Sequence, residues 1–427
     1  MTTLAERYAA VRRQTELLAE PLSEADCQVQ SMPDASPVKW HLAHVTWFFE
    51  TFVLERHESG FGPHHPAFRV LFNSYYNGIG EQHPRPQRGL VTRPGLAEVR
   101  AYRRAVDERM ARLLAAPATP ALAAVVELGL QHEQQHQELI LTDLRHLLSC
   151  NPLDPPYRPA DAEPAPAAPV PLRWIGFDGG QVEIGHRGEG FAFDNETPRH
   201  GVWLRPYALA NRLVTQGEWA EFVADGGYAE PRWWLAAGWD WVRQQRVGAP
   251  LYWRAEPGGG WSSFTLRGRL PLQAQVPVVN ISLYEADAYA RWFSARHPAE
   301  APARLPTEAE WEHAAERGGA VTDADGAFLE SGDLQPRPAA AGVDGLLQRF
   351  GEGWQWTASA YAPYPGFRAW DGAVGEYNAK FMVNQYVLRG GSCATPRSHV
   401  RSSYRNFFPA DARWQFSGLR LARDLDR

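Results

Sequence analysis

Two histidines four residues apart are the most chemically suggestive feature of this sequence. They are His132 and His136, within LGLQHEQQHQELILTDLRHLL at residues 128–148. If this segment is helical, positions i and i+4 share a face, so both imidazoles can bind one metal ion. The same residues fit H-E-x-x-H, the zinc-peptidase pattern in which the glutamate is the general base. The spacing therefore predicts a metal site and leaves its chemistry open.

A zinc peptidase would use Glu133 as general base and His132 and His136 as zinc ligands. It would also need a third ligand. The following QELILTDLRH has neither the glycine nor the histidine of the metzincin pattern at the required offset. This interpretation also gives residues 173–427 no role. A gluzincin-type third ligand stays open, but a peptidase is the remoter alternative.

A second pair of histidines, His41 and His44 in WHLAHVTWFF, offers a different third ligand. Facing helices commonly build metal sites in the core of a bundle. Three histidines without a carboxylate leave three positions open at an octahedral metal, which suits a redox iron, whereas zinc usually keeps one open position. The alternative is that these histidines are hydrogen-bonded core residues, and spacing alone does not decide.

Helices must position these side chains, and apolar periodicity predicts four long ones in residues 1–150. They are expected in LAERYAAVRRQTELLAEPL near the N-terminus and over residues 36–57, 95–116 and 119–150. Ser36 and Thr119 are predicted N-caps, each followed by a proline in the first turn. Four such helices predict an antiparallel bundle, interrupted by an irregular insert at residues 68–94.

The composition changes after residue 150. Residues 151–172 are rich in Pro and Ala and predict a semi-rigid linker. In residues 173–427 short apolar segments alternate with Gly/Pro-rich turns, which predicts an α+β domain with limited regular structure. Its helices are expected at residues 215–226, 282–297 and 306–318.

Bulk properties narrow the classes of function. A net charge of −6 does not favour a nucleic-acid or acidic-membrane partner. The N-terminus has charges throughout, unlike a signal peptide, and no apolar run of about 18 residues predicts a membrane span. Three cysteines, Cys27, Cys150 and Cys393, are far apart in the sequence. They predict no disulfide framework and fit the reducing cytoplasm.

Longer stretches of the sequence carry recognisable motifs. The first half contains SPVKWHLAHVTWFFE, LFNSYYNGIGEQHPRPQRGLVTRP and HEQQHQEL. The second half contains FDNETPRHGVWL, RLPTEAEWEHAA, GEYNAKFMVNQYVLRGGSCATP and SYRNFFPADARWQFSGLRLARD. In this order, the motifs resemble the two halves of the ergothioneine-pathway sulfoxide synthases, which are hercynine-dependent non-haem iron enzymes. The resemblance implies an α+β two-domain protein. A DinB-like four-helix bundle over residues 1–150 would precede a formylglycine-generating-enzyme-like (C-type-lectin-like) domain over residues 173–427.

By this resemblance, His44, His132 and His136 bind Fe(2+), and His41 either supports a ligand from behind or is structural. The implied partners are small molecules: hercynine, a thiol or selenium donor, and dioxygen. Gln135 matches a residue that contacts hercynine, the trimethylated histidine betaine.

Two neighbouring residues near the C-terminus are implied in hercynine binding as well. Asn406 matches a hercynine contact, and Phe407 lies where an aromatic neighbour of the trimethylammonium group is expected. An aromatic wall holds such a cation through cation–π attraction worth about 0.5–2 kcal/mol per ring.

The implied reaction attaches sulfur or selenium oxidatively to carbon 2 of hercynine's imidazole. Such chemistry needs a nearby proton donor, and tyrosine suits that task. One branch of the family has a catalytic tyrosine in its C-terminal domain, and another has tandem tyrosines in the N-terminal insert. The segment NSYY is similar to the second branch, so Tyr75 and Tyr76 are expected to be catalytic.

Arginines are expected to bind the second substrate, because a guanidinium group pairs with a carboxylate through two hydrogen bonds. Arg85 and Arg88 lie where the family has such residues, and Arg405 is a further candidate. The sequence departs from the family pattern at GEGWQWTAS, residues 351–359, where Gln355 replaces a more common glutamate. This change could alter which second substrate fits, or it could be structural.

The sequence leaves the identity of the sulfur or selenium donor open. Cysteine or γ-glutamylcysteine would make the protein a sulfoxide synthase, which is slightly favoured by family abundance. A selenosugar would make it a selenoneine synthase, which shares the two-domain architecture. Outside this family, the alternatives are a zinc peptidase and a non-catalytic binding module, since lectin-like domains often only bind ligands.

Overall fold

The chain forms two compact units in a computed structural model. The structure describes residues 2–159, 167–300, 302–319, 321–322 and 325–425, so residues 160–166 of the predicted linker lie outside the described residues. The first unit consists of Met1–Arg158 and Ala369–Tyr377, and the second of Pro159–Arg368 and Asn378–Arg427. A short segment of the predicted second domain, 173–427, therefore belongs to the first unit.

The first unit is helical, and all four long helices predicted from the sequence are present. Its helices are α1 (Leu4–Ala19), α2 (Glu24–Gln28), α3 (Val38–Phe48), α4 (Glu55–His57), α5 (Phe68–Leu71), α6 (Leu96–Leu113) and α7 (Pro120–Ser149). α1 packs against α7, and α3 packs against both α6 and α7. Among the described residues, no helix combines the length and hydropathy needed to cross a membrane.

The predicted helix 36–57 is continuous but locally widened. A π-helical turn, Phe49–Leu54, follows α3 and leads into α4. The prediction that Ser36 is the N-cap is wrong, because Pro37 occupies that position without a side-chain cap. The amide of Ser36 instead donates a hydrogen bond of 2.8 Å to the carboxylate of Asp143 on α7.

The helix α7 has 30 residues and begins as predicted. The Thr119 side chain accepts a hydrogen bond of 3.3 Å from the amide of Leu122, and Pro120 occupies the first helical position. About two and a half turns further on, Gly129 faces the π-helical turn. A Cβ at this glycine would meet Cε1 of Phe49 at 2.5 Å. The missing side chain therefore lets α7 lie close to the end of α3.

The second unit combines strands with short helices. Its strands are β1 (Trp174–Phe177), β2 (Gly180–Ile184), β3 (His200–Leu204), β4 (Tyr207–Ala210), β5 (Trp253–Ala255), β6 (Trp261–Thr265), β7 (Gly268–Pro271), β8 (Ala303–Arg304), β9 (Trp354–Ala360), β10 (Tyr386–Arg389), β11 (Asn406–Phe408), β12 (Ser417–Gly418) and β13 (Ala422–Asp424). Its α-helices are α8 (Gln216–Ala224), α9 (Ala236–Gln245), α10 (Leu283–Arg296) and α11 (Glu308–Arg317). The sequence predicted α8, α10 and α11 and missed α9.

Two four-stranded sheets form the framework of this unit. Their strand orders are β1-β4-β13-β8 and β11-β10-β9-β12. The pairs are antiparallel except β12 with β9, which is parallel. A β2–β3 pair and a β5-β6-β7 sheet complete the strand pairing of the described residues.

Gln355, the departure from the family pattern, lies in β9 at 1% exposure. Its side-chain oxygen accepts hydrogen bonds from the indole of Trp311 at 2.8 Å and from Arg420 at 2.9 Å. Its amide group donates to the carbonyl groups of Gln348 and Arg349 at 3.3 and 3.0 Å. All of these partners belong to the core of the second unit, which favours the structural explanation for this substitution.

We predict that Gly129→Ala destabilises the protein, although alanine is the better helix former. Helix propensity alone would stabilise the variant by about 1 kcal/mol, whereas overpacking a core typically costs about 1–3 kcal/mol. Chemical unfolding should show a net loss. Gly62→Ala is the control, because a Cβ at that position meets nothing within 4 Å. Equal or higher stability of Gly129→Ala would contradict the close packing against Phe49.

Candidate metal centre

Three histidines converge in the first unit: His44 from α3, and His132 and His136 from α7. One ring nitrogen from each lies within 4.8 Å of the other two. Nε2 of His44 is 3.2 Å from Nε2 of His132. The three side chains are buried, and Gln135, beside His136, is half-buried. The helical spacing of His132 and His136 and the packing of α3 on α7 together produce this group.

Burial lowers the pKa of all three imidazoles. The pKa of His132 falls to about 3. The pKa values of His44 and His136 fall well below 6.5, because burial is reinforced by the neighbouring histidines. The rings are therefore neutral at physiological pH, and each can offer a lone pair. Neutral imidazole is a ligand of iron, zinc, copper and nickel, so the group fits a divalent transition metal.

Two of these histidines have defined partners on the nitrogen that faces away from the group. Nδ1 of His44 lies 2.6 Å from the carbonyl oxygen of Phe72, so Nδ1 holds the proton and Nε2 holds the lone pair. Nδ1 of His136 lies 2.8 Å from Nδ1 of His41. Partners of this kind fix the tautomer and the ring orientation of metal-ligating histidines.

Glu133 is not placed to act as a general base. Its carboxylate is fully buried and accepts hydrogen bonds from Arg12 at 2.9 Å, from Arg103 at 2.5 Å and from Thr15 at 2.7 Å. Burial alone would raise its pKa, but Arg103 and Arg12 lower the pKa to about 2. Two guanidinium groups and a hydroxyl therefore hold the charge of this carboxylate. The H-E-x-x-H pattern is present, but its glutamate has a structural role.

Three tyrosine rings lie near the histidines. The rings of Tyr75 and Tyr76 are 4.8 Å apart, and that of Tyr76 is 5.7 Å from Trp47. The ring of Tyr377 lies edge-on to His132 at 5.5 Å and 6.2 Å from Tyr75. Burial raises the pKa of both Tyr75 and Tyr76, so these two phenols keep their protons at neutral pH.

Tyr377 is a candidate that the sequence analysis missed. It ends the segment Ala369–Tyr377, which the first unit takes from the later part of the chain. The carboxylate of Glu376 accepts hydrogen bonds from the amides of Asn77 at 2.9 Å and Gly78 at 2.6 Å, which fixes this segment to the tyrosine loop. The family-like motif GEYNAKFMVNQYVLRGGSCATP contains Tyr377, but a motif does not reveal that its first residues enter the other unit.

The two predicted arginines of the insert differ in their surroundings. Arg88 is 4% exposed, and its guanidinium carbon lies 3.4 Å from the ring centre of Trp40, whose indole stacks on His44 at 4.5 Å. Nε of Arg88 has no hydrogen-bond partner among the described residues, and burial lowers the pKa of this side chain to about 9. Arg85 is exposed and donates a hydrogen bond to the carbonyl group of Asp34. Arg88 is therefore better placed than Arg85 for the predicted binding of the second substrate near the histidines.

Both parts of the chain match known protein families. The DinB superfamily matches residues 7–140, and the sulfatase-modifying factor enzyme 1-like domain matches residues 160–343 and 335–425. The hercynine oxygenase of Mycobacterium tuberculosis is 32% identical over 445 residues, covering 99% of each chain. That of Mycolicibacterium thermoresistibile is 31% identical over 454 residues, covering 99% of this chain and 95% of its own. The chain belongs to the hercynine oxygenase family.

Membership of the hercynine oxygenase family confirms that the protein is an enzyme. The matches also confirm the predicted fold class, a DinB-like helical part followed by a formylglycine-generating-enzyme-like part. The ergothioneine biosynthesis protein 1 of Schizosaccharomyces pombe is 28% identical over 241 residues, covering 55% of this chain and 28% of its own. These relatives do not favour the peptidase alternative, in agreement with the position of Glu133.

The remaining residues implied by the hercynine oxygenase resemblance lie in the second unit. Asn406 and Phe407 begin β11 and are half-buried, and Phe407 stacks on Tyr361 with ring centres 4.0 Å apart. Arg405 is 1% exposed and donates two hydrogen bonds of 3.0 Å to Glu308 and two of 2.9 Å to backbone carbonyl groups. These bonds favour a structural role for Arg405, because they use most of its donors.

We predict that Glu133→Gln lowers the free energy of unfolding by about 3–5 kcal/mol at neutral pH, because two buried arginines lose their shared anion. The folded-state pKa of about 2 is below the ordinary value of 4.5. The contribution of Glu133 is therefore complete above about pH 5 and is lost as the pH falls toward 2.

Unfolding of both proteins at several pH values between 7 and about 3 tests this prediction. The difference in stability between wild type and Glu133→Gln should shrink as the solution becomes acidic. Glu127→Gln is the control on the same helix, since its pair with Arg7 is partly exposed and is expected to contribute about 0–1 kcal/mol. A difference that does not change with pH would contradict the assignment.

Proposed function

We propose that the protein is a mononuclear non-haem iron oxidoreductase that uses dioxygen to join sulfur or selenium to carbon 2 of the imidazole of hercynine. The observation on which this proposal depends is the group His44, His132 and His136, whose ligand nitrogens lie within 4.8 Å of one another. This group occurs in a chain that is similar to hercynine oxygenases over 99% of its length. The relatives suggest the substrate, and the histidines suggest where a metal would be held.

Ferrous iron fits this donor set. Three neutral imidazoles leave three positions of an octahedral ion for other ligands. When bound, iron would supply electrons for the reduction of dioxygen and would favour the deprotonated form of a thiol or selenol. The cysteines Cys27, Cys150 and Cys393 form no disulfide with one another, which is consistent with the expected reducing cytoplasm, where ferrous iron and thiols persist.

The overall reaction with a thiol donor balances with one molecule of dioxygen. The C2–H and S–H bonds break, and a carbon–sulfur bond forms. One oxygen atom is transferred to sulfur, and the other leaves as water with the two hydrogens. The side chains around the metal must therefore hold two substrates and transfer protons between the reacting atoms without bulk water.

Hercynine presents an imidazole, a carboxylate and a trimethylammonium group to the protein. Gln135 lies on α7 beside His136, and its amide can both donate and accept hydrogen bonds. Asn406 and Phe407 are proposed as further contacts, on the match of their segment to the family motif. The face of an aromatic ring such as Phe407 attracts a quaternary ammonium group by about 0.5–2 kcal/mol.

The proton donor is proposed to be one of the tyrosines near the histidines. Tyr75 and Tyr76 follow from the sequence, and the position of Tyr377 beside His132 adds a third candidate. The raised pKa of Tyr75 and of Tyr76 keeps each phenol protonated until a strong base forms. A buried phenol of this kind can deliver a proton to the reacting atoms without admitting water.

Arg88 is proposed to pair with an anionic group of the second substrate. Its buried guanidinium has a donor, Nε, without a partner among the residues described, and a carboxylate would use it. Cysteine and γ-glutamylcysteine have an α-carboxylate, whereas a selenosugar has none. A sulfur donor remains the first choice and a selenosugar the alternative.

The experiment that tests the proposed function is reconstitution of the apoprotein with ferrous iron and hercynine without oxygen, followed by air and each donor in turn. Mass spectrometry should show a carbon–sulfur or carbon–selenium product with one donor class. His44→Ala should abolish it, and Arg88→Met should impair only a carboxylate-bearing donor. Intact hercynine with every donor in iron-loaded protein would contradict the proposal. Zinc with proteolytic activity would favour the peptidase.

We predict that at least one of Tyr75→Phe, Tyr76→Phe and Tyr377→Phe slows product formation by about a hundredfold or more, because general acid catalysis contributes about 10²–10⁴-fold. Iron content should be unchanged in all three variants. Tyr157→Phe is the control, since its hydroxyl donates to the carbonyl group of Leu18 at 2.8 Å in the same unit. Near-wild-type rates in Tyr75→Phe, Tyr76→Phe and Tyr377→Phe would exclude these phenols as proton donors.

A further inference from the structure

A chain of hydrogen bonds leads away from His136 to a buried carboxylate. Nδ1 of His136 is 2.8 Å from Nδ1 of His41. Nε2 of His41 is 3.1 Å from Oδ2 of Asp143. His41 and Asp143 are 2% and 5% exposed. The three residues connect α3 and α7 inside the first unit, and His41 is outside the group whose nitrogens converge.

The direction of these hydrogen bonds follows from one fixed acceptor. Oδ2 of Asp143 also accepts the backbone amide of Ser36 at 2.8 Å, so this oxygen presents lone pairs to its donors. His41 must then donate from Nε2, which leaves Nδ1 of His41 as an acceptor. His136 must in turn donate from Nδ1. Its Nε2 is left with a lone pair, which is the atom that a metal would need.

The three candidate ligands are thus held in different ways. His44 donates from Nδ1 to the carbonyl group of Phe72 at 2.6 Å. Nδ1 of His132 has no hydrogen-bond partner among the described residues. His136 is oriented through another side chain, and that side chain depends on a carboxylate two turns further along α7. His136 is therefore the ligand whose tautomer depends on side chains that can be substituted.

We propose that His41 and Asp143 are positioning residues that hold His136 in the tautomer whose Nε2 binds the metal. This inference rests on the proposed metal centre at His44, His132 and His136. Oδ2 of Asp143 also accepts the amide of Ser36, just before α3, which carries His44. The same oxygen therefore helps to fix the start of α3 and, through His41, the position of the proton on His136 of α7. A purely structural role would need only the shape of His41 and not its acceptor nitrogen.

A matched pair of substitutions separates these roles. His41→Leu and His41→Asn introduce side chains of similar shape, but only asparagine offers an acceptor oxygen near the position of Nδ1. The probe is ferrous iron alone, titrated into each apoprotein without oxygen, and the absorption spectrum of the Co(II) form reports the ligand field. Thermal unfolding of the apoproteins reports any structural damage.

We expect His41→Leu to weaken iron binding by about 10–100-fold, as for other lost partners of metal-ligating histidines, and to change the Co(II) spectrum. His41→Asn should recover most of the affinity and the wild-type spectrum. His64→Leu is the control in the same unit, because this exposed ring packs against Phe68 and Tyr102 and not against His41 or Asp143. It should bind iron like the wild type.

The outcomes distinguish the two proposals. Absence of iron binding by the wild type would overturn the metal centre itself. If the wild type binds iron and His41→Leu binds it equally well, or if His41→Asn is as weak as His41→Leu, the positioning role is overturned. Should His41→Leu not fold, Asp143→Asn and Asp143→Leu give the same comparison. The asparagine keeps an acceptor and should bind iron more tightly than the leucine, and equal affinities would overturn the inference.

Discussion

Neutral imidazoles held close together in a dry helical interior are the constraint on which the rest of the first unit depends. Three basic nitrogens within 4.8 Å of one another cannot all be protonated, because burial and mutual repulsion both oppose charge. For two of the three rings, the surrounding structure supplies a hydrogen-bond acceptor for one N–H group, whereas Nδ1 of His132 has none among the described residues. A backbone carbonyl group serves His44, and a side chain serves His136.

The helix α7 separates two kinds of chemistry by helical periodicity. Its neutral face presents His132 and His136, while the adjacent residue Glu133 takes part in a buried ionic network with arginines from α1 and α6. On the same side, Gln137 donates hydrogen bonds of 3.0 Å to Thr15 and to a backbone carbonyl group of α1. The ionic face anchors the helix, and the neutral face is thereby held rigid beside α3.

Local features were readable from the sequence, and non-local contacts were not. The shared face of His132 and His136 follows from the helical repeat, the presence of the four long helices follows from apolar periodicity, and the start of α7 follows from Thr119 and Pro120. The partners of Glu133 could not be inferred, because its arginines come from helices far away in the sequence. The H-E-x-x-H pattern alone therefore suggested a base where the fold places a structural anion.

The segment Ala369–Tyr377 limits where the chain can be divided into fragments and delays completion of the first unit during synthesis. Because the first unit takes this segment from the later part of the chain, a fragment ending near residue 158 would lack one aromatic wall beside His132. During synthesis on the ribosome, the histidines emerge long before that wall does. The helical bundle therefore cannot be moved into another protein as an independent module unless the segment Ala369–Tyr377 is moved with it.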